Sequence, residues 1–344
     1  MRAAILCQFV AILGVSPALA GPCSGADTQL AQISRQLTLN SLDGVKPVLD
    51  ALRRAYPDCQ PIVLQQARLT QAEGNPNAAA DLYYRYTDAD PNDSKGLAYF
   101  GHFFLEQHDY MRADALSAAA VERNPEDPAA LALRGQILVM KGQQSEGQRL
   151  LEKAVQLDAD DPEAQFQLGA IYDKVKSAAK AVERFRTAVK LNPRDARAWD
   201  YLGLNLEPLG DLDGADQAYR KGLEVNQLGR YHDAFLDYNY GRFLAKRNDL
   251  VASKQHLDRA VELTPLVRAV WYERARLDVR MQNYEQGRVD GEKAAACTQD
   301  GGIIDLQIYS LLSQVYTRLG DKASAKKYTD LTRETPPPVR GESR

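Results

Sequence analysis

The chain has 344 residues, of which 44% are apolar and 26% charged, with a formal net charge of −3. Those proportions belong to a folded chain rather than a disordered one, and the near-neutral balance excludes the global basic field of a non-specific nucleic-acid binder. The length fits two or so globular domains or one extended repeat array.

At the amino terminus Arg2 precedes an apolar run from Ala3 to Val15, followed by Ser16-Pro17-Ala18-Leu19-Ala20. A charged start, an apolar core and an A-x-A site make residues 1–20 an expected signal peptide. The run is too short for a membrane-spanning helix, which needs about 20 residues, and Pro17 interrupts the alternative, a buried first helix. Export places the mature chain in an oxidising periplasmic or extracellular space. Arg2 is the one charge removed with the leader, so the balance moves from −3 to −4. Cys7 leaves as well, and Cys23, Cys59 and Cys297 remain behind a short mature start at 21–25. Three cysteines allow at most one internal bridge and leave one thiol over. Pro22 stands where a lipobox requires a small residue before its cysteine, so a lipid anchor is disfavoured. No later stretch is long and apolar enough to cross a membrane.

From residue 26 onward the sequence repeats. Ala67, Gly101, Gly135, Gly169 and Gly203 are spaced by 34 residues. Ala120, Ala154, Ala188 and Gly222 follow the same period 19 residues later, and Pro91, Pro125 and Pro193 come five residues after that series. Apolar residues at helical spacing, such as Trp199, Leu202 and Leu206, predict a helix around the first small residue. A turn is marked by Leu209-Gly210-Asp211 and again by Leu319-Gly320-Asp321. A second helix then carries Ala215, Tyr219 and Gly222 on one face. Small residues let paired helices approach closely, and proline closes the hairpin because it cannot continue a helix.

These residues resemble the tetratricopeptide-repeat family. The best-matched repeat is 162–195, with Leu168, Gly169, Tyr172, Ala181, Phe185, Ala188 and Pro193 at signature positions, and 196–229 adds Trp199, Leu202, Gly203, Ala215 and Tyr219. Extended both ways, the frame gives repeats at 26–59, 60–93, 94–127, 128–161, 162–195, 196–229, 234–267, 268–301 and 306–339. Insertions at 230–233 and 302–305 shift the register. The resemblance implies an all-α, right-handed superhelical solenoid of about nine hairpins over 26–335. The first repeat is degenerate, with Ile33 at the small position, and the last runs into a polar, Pro-rich tail at 336–344, expected to be disordered. Atypical end repeats are what a stack needs to close its core. Gly287 and Gly291 lower helix propensity in the eighth repeat, marking either close packing or a joint.

Little in the sequence points to chemistry, and an enzyme is not expected. The histidines are His102, His108, His232 and His256; none forms H-E-x-x-H and no cysteine pair has C-x-x-C spacing, so no metal is expected. No phosphate-binding glycine loop, dinucleotide fingerprint or nucleophile elbow occurs, so no cofactor is expected either. Asp211-Leu212-Asp213-Gly214 resembles the start of a calcium loop but lacks the later ligands and reads better as an inter-helix turn. Asn92-Asp93-Ser94 is a formal glycosylation sequon in an inter-repeat turn. Cys23 and Cys59 open the first helices of successive repeats. Because a hairpin returns the chain to the end it left, they are predicted to form a disulfide. Cys297 is left as a half-buried thiol.

In the family, positions 2, 5, 9, 12 and 13 of each repeat face a concave groove. At those positions the amino-terminal half is mixed, with Leu64, Arg68, Ala98, His102, Leu105, Ala132, Val139 and Met140. The middle is acidic, with Glu163, Asp173, Asp200 and Glu207 beside Phe166. The carboxy-terminal third is cationic and aromatic: Tyr238, Arg242, Lys246, Tyr272, Arg276, Arg280, Gln314 and Arg318. Arg242 and Arg276 share one phase, and Lys246, Arg280 and Arg318 another, so two ladders are expected. Tyrosine and arginine are also enriched at interface hot spots. The position-nine series departs from the lysine and asparagine clamp that some family members use for a peptide's terminal carboxylate. The resulting expectation is a non-catalytic scaffold for a protein or peptide partner, in a role such as envelope assembly, pilus biogenesis or polysaccharide secretion. The alternatives are direct binding of an anionic polymer, such as an acidic polysaccharide, or cations that merely pair with neighbouring carboxylates.

Overall fold

The computed structural model describes residues 23–226, 233–298 and 302–335. The expected signal peptide, residues 21–22, residues 230–232 of the first insertion and the 336–344 tail lie outside the described residues. Among the described residues there are eighteen α-helices, one 3-10 turn and no strand. They fall into two compact units, divided between Leu138 and Val139.

The amino-terminal unit contains α1 (Asp27–Thr38), α2 (Val45–Ala55), α3 (Gln60–Ala72), α4 (Pro76–Ala89), α5 (Ser94–Glu106), α6 (Tyr110–Arg123) and most of α7 (Pro128–Met140), within which the division falls. The carboxy-terminal unit contains α8 (Gln144–Leu157), α9 (Pro162–Lys174), α10 (Ala178–Leu191), α11 (Ala196–Leu206), α12 (Leu212–Val225), α13 (Leu236–Lys246), α14 (Leu250–Leu263), α15 (Arg268–Arg280), α16 (Tyr284–Ala296), α17 (Asp305–Leu319) and α18 (Lys322–Glu334). Helices pair in sequence as hairpins, α3 with α4, α5 with α6, α9 with α10, α11 with α12, α13 with α14, α15 with α16 and α17 with α18, and second helices also pack on the first helix of the next hairpin, α2 on α3, α4 on α5, α8 on α9, α10 on α11, α12 on α13, α14 on α15 and α16 on α17. First helices touch one another directly, α9 with α11, α11 with α13, α13 with α15 and α15 with α17, forming one row.

The helix ends follow from a few residues. Aspartate caps α5, α9, α11, α12, α14 and α18, its carboxylate accepting from backbone N–H groups of the first turn; such a cap is worth about 1 kcal/mol over alanine. Asp211 is one of these caps, accepting from Gly214 N at 3.0 Å, which accounts for the Asp-x-Asp-Gly stretch without calcium. The hairpin turns need a left-handed residue, supplied by Gly210 (φ 78°) and Gly320 (φ 80°), where glycine has no Cβ penalty.

Close approach explains the small-residue series. A Cβ on Gly169 would lie 2.7 Å from the Phe185 ring, and one on Gly203 would lie 2.8 Å from Tyr219. The aromatic ring of the second helix fills the space that the missing side chain leaves on the first. Trp199 and Trp271 fix the hairpin entries in the same way, donating from Nε1 to the carbonyls of Pro193 (2.9 Å) and Pro265 (2.8 Å).

Cys23 and Cys59 form a disulfide with a Cα–Cα separation of 4.9 Å, closing the first repeat against the start of α3; a cross-link of this loop length stabilises by about 2–4 kcal/mol. Cys297 is a half-buried free thiol. The second insertion, 302–305, is tied in place by Arg268. That buried side chain donates to the Cys297 carbonyl at 2.9 and 3.2 Å and to the Ile303 carbonyl at 3.3 Å, and pairs with Asp305 at 2.6 Å.

Candidate partner-binding face

The cationic and aromatic residues singled out in the sequence lie on α13, α15 and α17, successive members of the row of first helices. Two copies of one arrangement occur 34 residues apart. The Arg242 guanidinium lies 5.5 Å from the centroid of the Tyr238 ring, and that of Arg276 lies 5.7 Å from Tyr272. An i, i+4 spacing on a helix makes such a pair natural, and the ring face attracts the cation. Tyr238 and Arg242 are half-buried, Tyr272 is 9% exposed, and Arg276 is open to solvent. Tyr272 therefore forms a floor beneath its arginine instead of projecting as an open platform.

The second ladder is less bare than its charge pattern implies. Lys246 Nζ pairs with Glu207 at 2.5 Å, and Glu207 also accepts from the Tyr219 hydroxyl at 2.7 Å. Arg280 donates to the Ala245 carbonyl at 2.7 Å and to Asn248 Oδ1 at 3.1 Å. Arg276 makes two bonds to Glu273 one turn earlier, at 2.9 and 3.0 Å. Arg318 on α17 is exposed, with no ion pair among the described residues. Exposed pairs of this kind contribute about 0–1 kcal/mol, so exchanging them for a partner's acceptors costs little.

The acidic middle is also altered by folding. Glu163 pairs with Arg197 at 2.8 Å, and Glu207 is taken by Lys246. Asp200, expected on an open face, is 1% exposed. Its Oδ2 accepts from Asn239 Nδ2 at 2.7 Å. Burial, followed by the neighbouring Asp233 carboxylate, raises its pKa well above the usual carboxylate range. Asp200 is thus part of the interior between α11 and α13 and offers no charge to a ligand.

Sequence reasoning missed a group of ionised residues inside the eighth hairpin. Arg274 binds Asp290 through Nε (2.7 Å) and Nη2 (2.8 Å), and Asp258 at 3.0 Å. Asp290 and Asp278 are fully buried, and neither oxygen of Asp278 has a hydrogen-bond partner among the described residues. Burial pushes the Asp278 carboxyl up to about 6. The available signal was the repeat phase: 274, 278 and 290 occupy the phases held by Phe100, Phe104 and Leu116 in the third repeat. Among the described residues no group of three or more His, Cys, Asp or Glu side chains has the geometry to hold a metal ion. No described helix is long and apolar enough to cross a membrane.

A tetratricopeptide-repeat family model matches residues 100–162 and 174–228, and a second matches 306–329. No curated protein matches the chain. Among solved structures, the Cut9–Hcn1 hetero-tetramer of the APC/C aligns at a TM-score of 0.72 and 14% identity, over 87% of this chain and 57% of that one. The chain thus spans little more than half the length of that relative. The type IV pilus biogenesis factor PilW aligns at 0.51 and 19% identity, over 58% of this chain and 90% of its own. A tetratricopeptide-repeat protein of Parabacteroides merdae aligns at 0.50 and 18% identity, over 70% and 93% respectively. At these identities the structures speak for the fold alone, and together with the family models they agree with the 34-residue period and its small-residue phases: this chain is a tetratricopeptide-repeat protein, an all-α array of about nine helical hairpins.

Proposed function

We propose that the protein is a non-catalytic scaffold that holds a segment of a partner protein along α13, α15 and α17, with Tyr238, Arg242, Lys246, Tyr272, Arg276, Arg280 and Arg318 as the contact residues. The observation that carries this reading is the repetition of the tyrosine–arginine pair one repeat apart, Tyr238 with Arg242 and Tyr272 with Arg276. A partner laid across successive first helices meets the same chemistry at each step. The floor tyrosines present ring surface at low entropic cost, while the exposed cations set orientation and encounter rate.

Working outside the cytoplasm is part of the same proposal. The leader-like residues 1–20 support it, and a disulfide between Cys23 and Cys59 is compatible with an oxidising compartment. Envelope assembly, pilus biogenesis and polysaccharide secretion are the settings in which such a scaffold is proposed to act. PilW is a pilus biogenesis factor of similar fold.

The test is affinity capture from envelope extract with wild-type protein beside an Arg242→Glu/Arg276→Glu/Arg280→Glu variant, both checked for native helicity. The reading expects a protein recovered by the wild type and lost by the variant. Recovery that survives the triple change moves the binding face elsewhere. Recovery of acidic polysaccharide in place of protein, with a steep loss as salt rises, supports the polymer alternative.

A further inference from the structure

Five junctions between consecutive repeats are bridged in one way. A polar side chain at the seventh or eleventh position of a repeat, on its first helix, reaches back to an acidic residue on the preceding second helix. Arg134 meets Asp114 at 2.5 Å, and Arg274 meets Asp258 at 3.0 Å. The Tyr172 hydroxyl donates to Glu152 at 2.9 Å, Tyr240 to Asp216 at 2.8 Å, and Tyr316 to Glu292. The acids occupy the twenty-first or twenty-fifth position of their repeats. Two junctions nearer the amino terminus are closed by other contacts: Gln66 accepts from Arg53 at 3.0 Å, and Tyr84 packs edge-on to Phe100 with centroids 4.9 Å apart.

The junction of α10 with α11 and α12 is inverted. At the two first-helix positions α11 has Leu202 and Leu206, and at the two acid positions α10 has Val182 and Arg186. Neither leucine can form a polar bridge, and Arg186 has no hydrogen bond to α11 among the described residues. It leans instead on Asp211 at 3.5 Å, in a pair whose side chains are 60% and 46% exposed. Asp211 is already engaged as the cap of α12.

A cleft of about 390 Å³ stays open here, lined by Arg186, Trp199, Leu202, Leu206, Ala218 and Lys221. That volume is in the range of small-molecule sites, which combine an apolar lining with a few polar groups. Leu202, Leu206 and Ala218 are buried and form an apolar floor, and Trp199 is half-buried beside them, its ring fixed by the bond to the Pro193 carbonyl. Lys221 lies 35 residues beyond Arg186, one repeat and one residue. The two cations therefore come from corresponding turns of α10 and α12, one on each bank. Lys221 pairs with Glu224 on its own helix at 2.8 Å, and that acid is 66% exposed. Surface pairs of this kind are weak, so both cations can turn to an acid seated between them.

We propose that this cleft binds a single-chain amphiphilic acid. The chain lies on Leu202, Leu206 and Ala218 against the Trp199 ring, and the carboxylate sits between Arg186 and Lys221. The ligand's carboxylate supplies the acid that α10 lacks, and its chain occupies the space that a tyrosine or arginine takes at the bridged junctions. The site belongs to the layer of second helices and uses none of the contact residues proposed on α13, α15 and α17.

Tryptophan quenching with the full chain tests it. Trp199 and Trp271 are the two tryptophans of the sequence, so a Trp271→Phe background leaves Trp199 as the reporter. The probe is ω-bromoundecanoate below its micelle concentration, whose bromine quenches an indole on contact, and ω-bromoundecanol is the neutral control. Saturable quenching by the acid is expected, with the alcohol weaker by about tenfold or more, the worth of charge-assisted contacts. Arg186→Gln and Lys221→Gln are each expected to weaken the acid by about threefold or more, a smaller loss because both side chains are exposed. Arg149→Gln, which removes an exposed cation on α8, leaves binding unchanged. Arg186→Glu with Leu206→Tyr installs the tyrosine–acid bridge of the preceding junction and is expected to keep native helicity while abolishing binding. Calorimetric titration of the chain with both tryptophans gives the same ranking even if Trp271→Phe disturbs the eighth repeat. Equal affinity for acid and alcohol overturns the proposal. So does absence of binding, or acid affinity that neither glutamine variant alters. Failure here leaves the carboxy-terminal face untouched, because the capture experiment changes residues on other helices.

Discussion

The third and eighth repeats share one backbone plan and have opposite interiors. In the third, Phe100 stacks on Tyr83 with ring centroids 5.1 Å apart, and Phe103 and Phe104 lie 6.1 and 4.7 Å from Phe100. In the eighth, the phases of Phe100, Phe104 and Leu116 hold Arg274, Asp278 and Asp290. Close-packed rings stabilise in proportion to the area they bury, and each loss is graded. An ion cluster without water behaves differently: complete, it is close to neutral in energy, and broken, it leaves a charge stranded. One hairpin geometry therefore accommodates either interior, and what differs is how stability responds to mutation and pH.

The comparison breaks most sharply on single against double substitutions. Phe100→Ala is expected to cost about 3–5 kcal/mol through lost burial and the cavity left behind. Asp290→Ala is expected to cost up to a similar 3–5 kcal/mol, because it takes from Arg274 its buried bidentate partner and leaves it only the more exposed Asp258. The two separate when both ions go. Arg274→Leu with Asp290→Leu should return to within about 1 kcal/mol of wild type or exceed it, whereas no second truncation beside Phe100 restores its loss. Urea unfolding of the three variants measures this, and a double variant as unstable as Asp290→Ala removes the ionic account of the eighth repeat.

A pH difference comes next in size. Asp278 titrates near 6 when folded and near 3.9 when unfolded, so the folded state binds the extra proton between those values. Its contribution is fully present below about pH 4 and is lost as pH rises through 6. The two-unit displacement corresponds to about 3 kcal/mol. Asp278→Asn removes that dependence, so its stability relative to wild type should grow from pH 4 to pH 8. A wild type and variant that run parallel across this range contradict a carboxyl raised by burial at Asp278.

The smallest effects come from the paired glycines of the eighth repeat. A Cβ on Gly291 would lie 2.7 Å from Leu312 Cδ2, whereas one on Gly287 meets Val279 Cγ2 at 3.3 Å. Gly291→Ala should lose about 1–3 kcal/mol to overpacking. Gly287→Ala should fall within about 1 kcal/mol of wild type, its helix propensity offsetting a slight clash. Thermal melts of the two variants read this directly, and equal melting points argue against close packing at 291.

Much of the fold was legible because a repeat writes its packing several times. Gly169 and Gly203 could be read as close-approach sites since the same phase recurs at 101 and 135, and the Cys23–Cys59 bridge followed from the return of one hairpin. The inserted stretch 302–305 could not be read, because its hold is the Arg268 guanidinium reaching Ile303 and Asp305, 35 and 37 residues away. Charged side chains were the main source of error. Position along a helix shows which face Asp200 occupies but not that Asn239 and the next helix cover it. Likewise Lys246 looks free in sequence, since Glu207 lies 39 residues earlier across an insertion. Arg68 and Ser34, one 34-residue period apart, show that the period itself marks such cross-repeat partners.

The central claim is that a partner lies along the first helices of the carboxy-terminal unit. Site-specific photo-crosslinking in cells, with benzoylphenylalanine at 238 or 272 on the proposed face and at 251 on α14, tests it most directly. Val251 is 67% exposed and belongs to a second helix, so it reports on the opposite layer. The account predicts a discrete covalent adduct from 238 or 272 and none from 251. An adduct from 251 alone contradicts it and places the partner on the second-helix face.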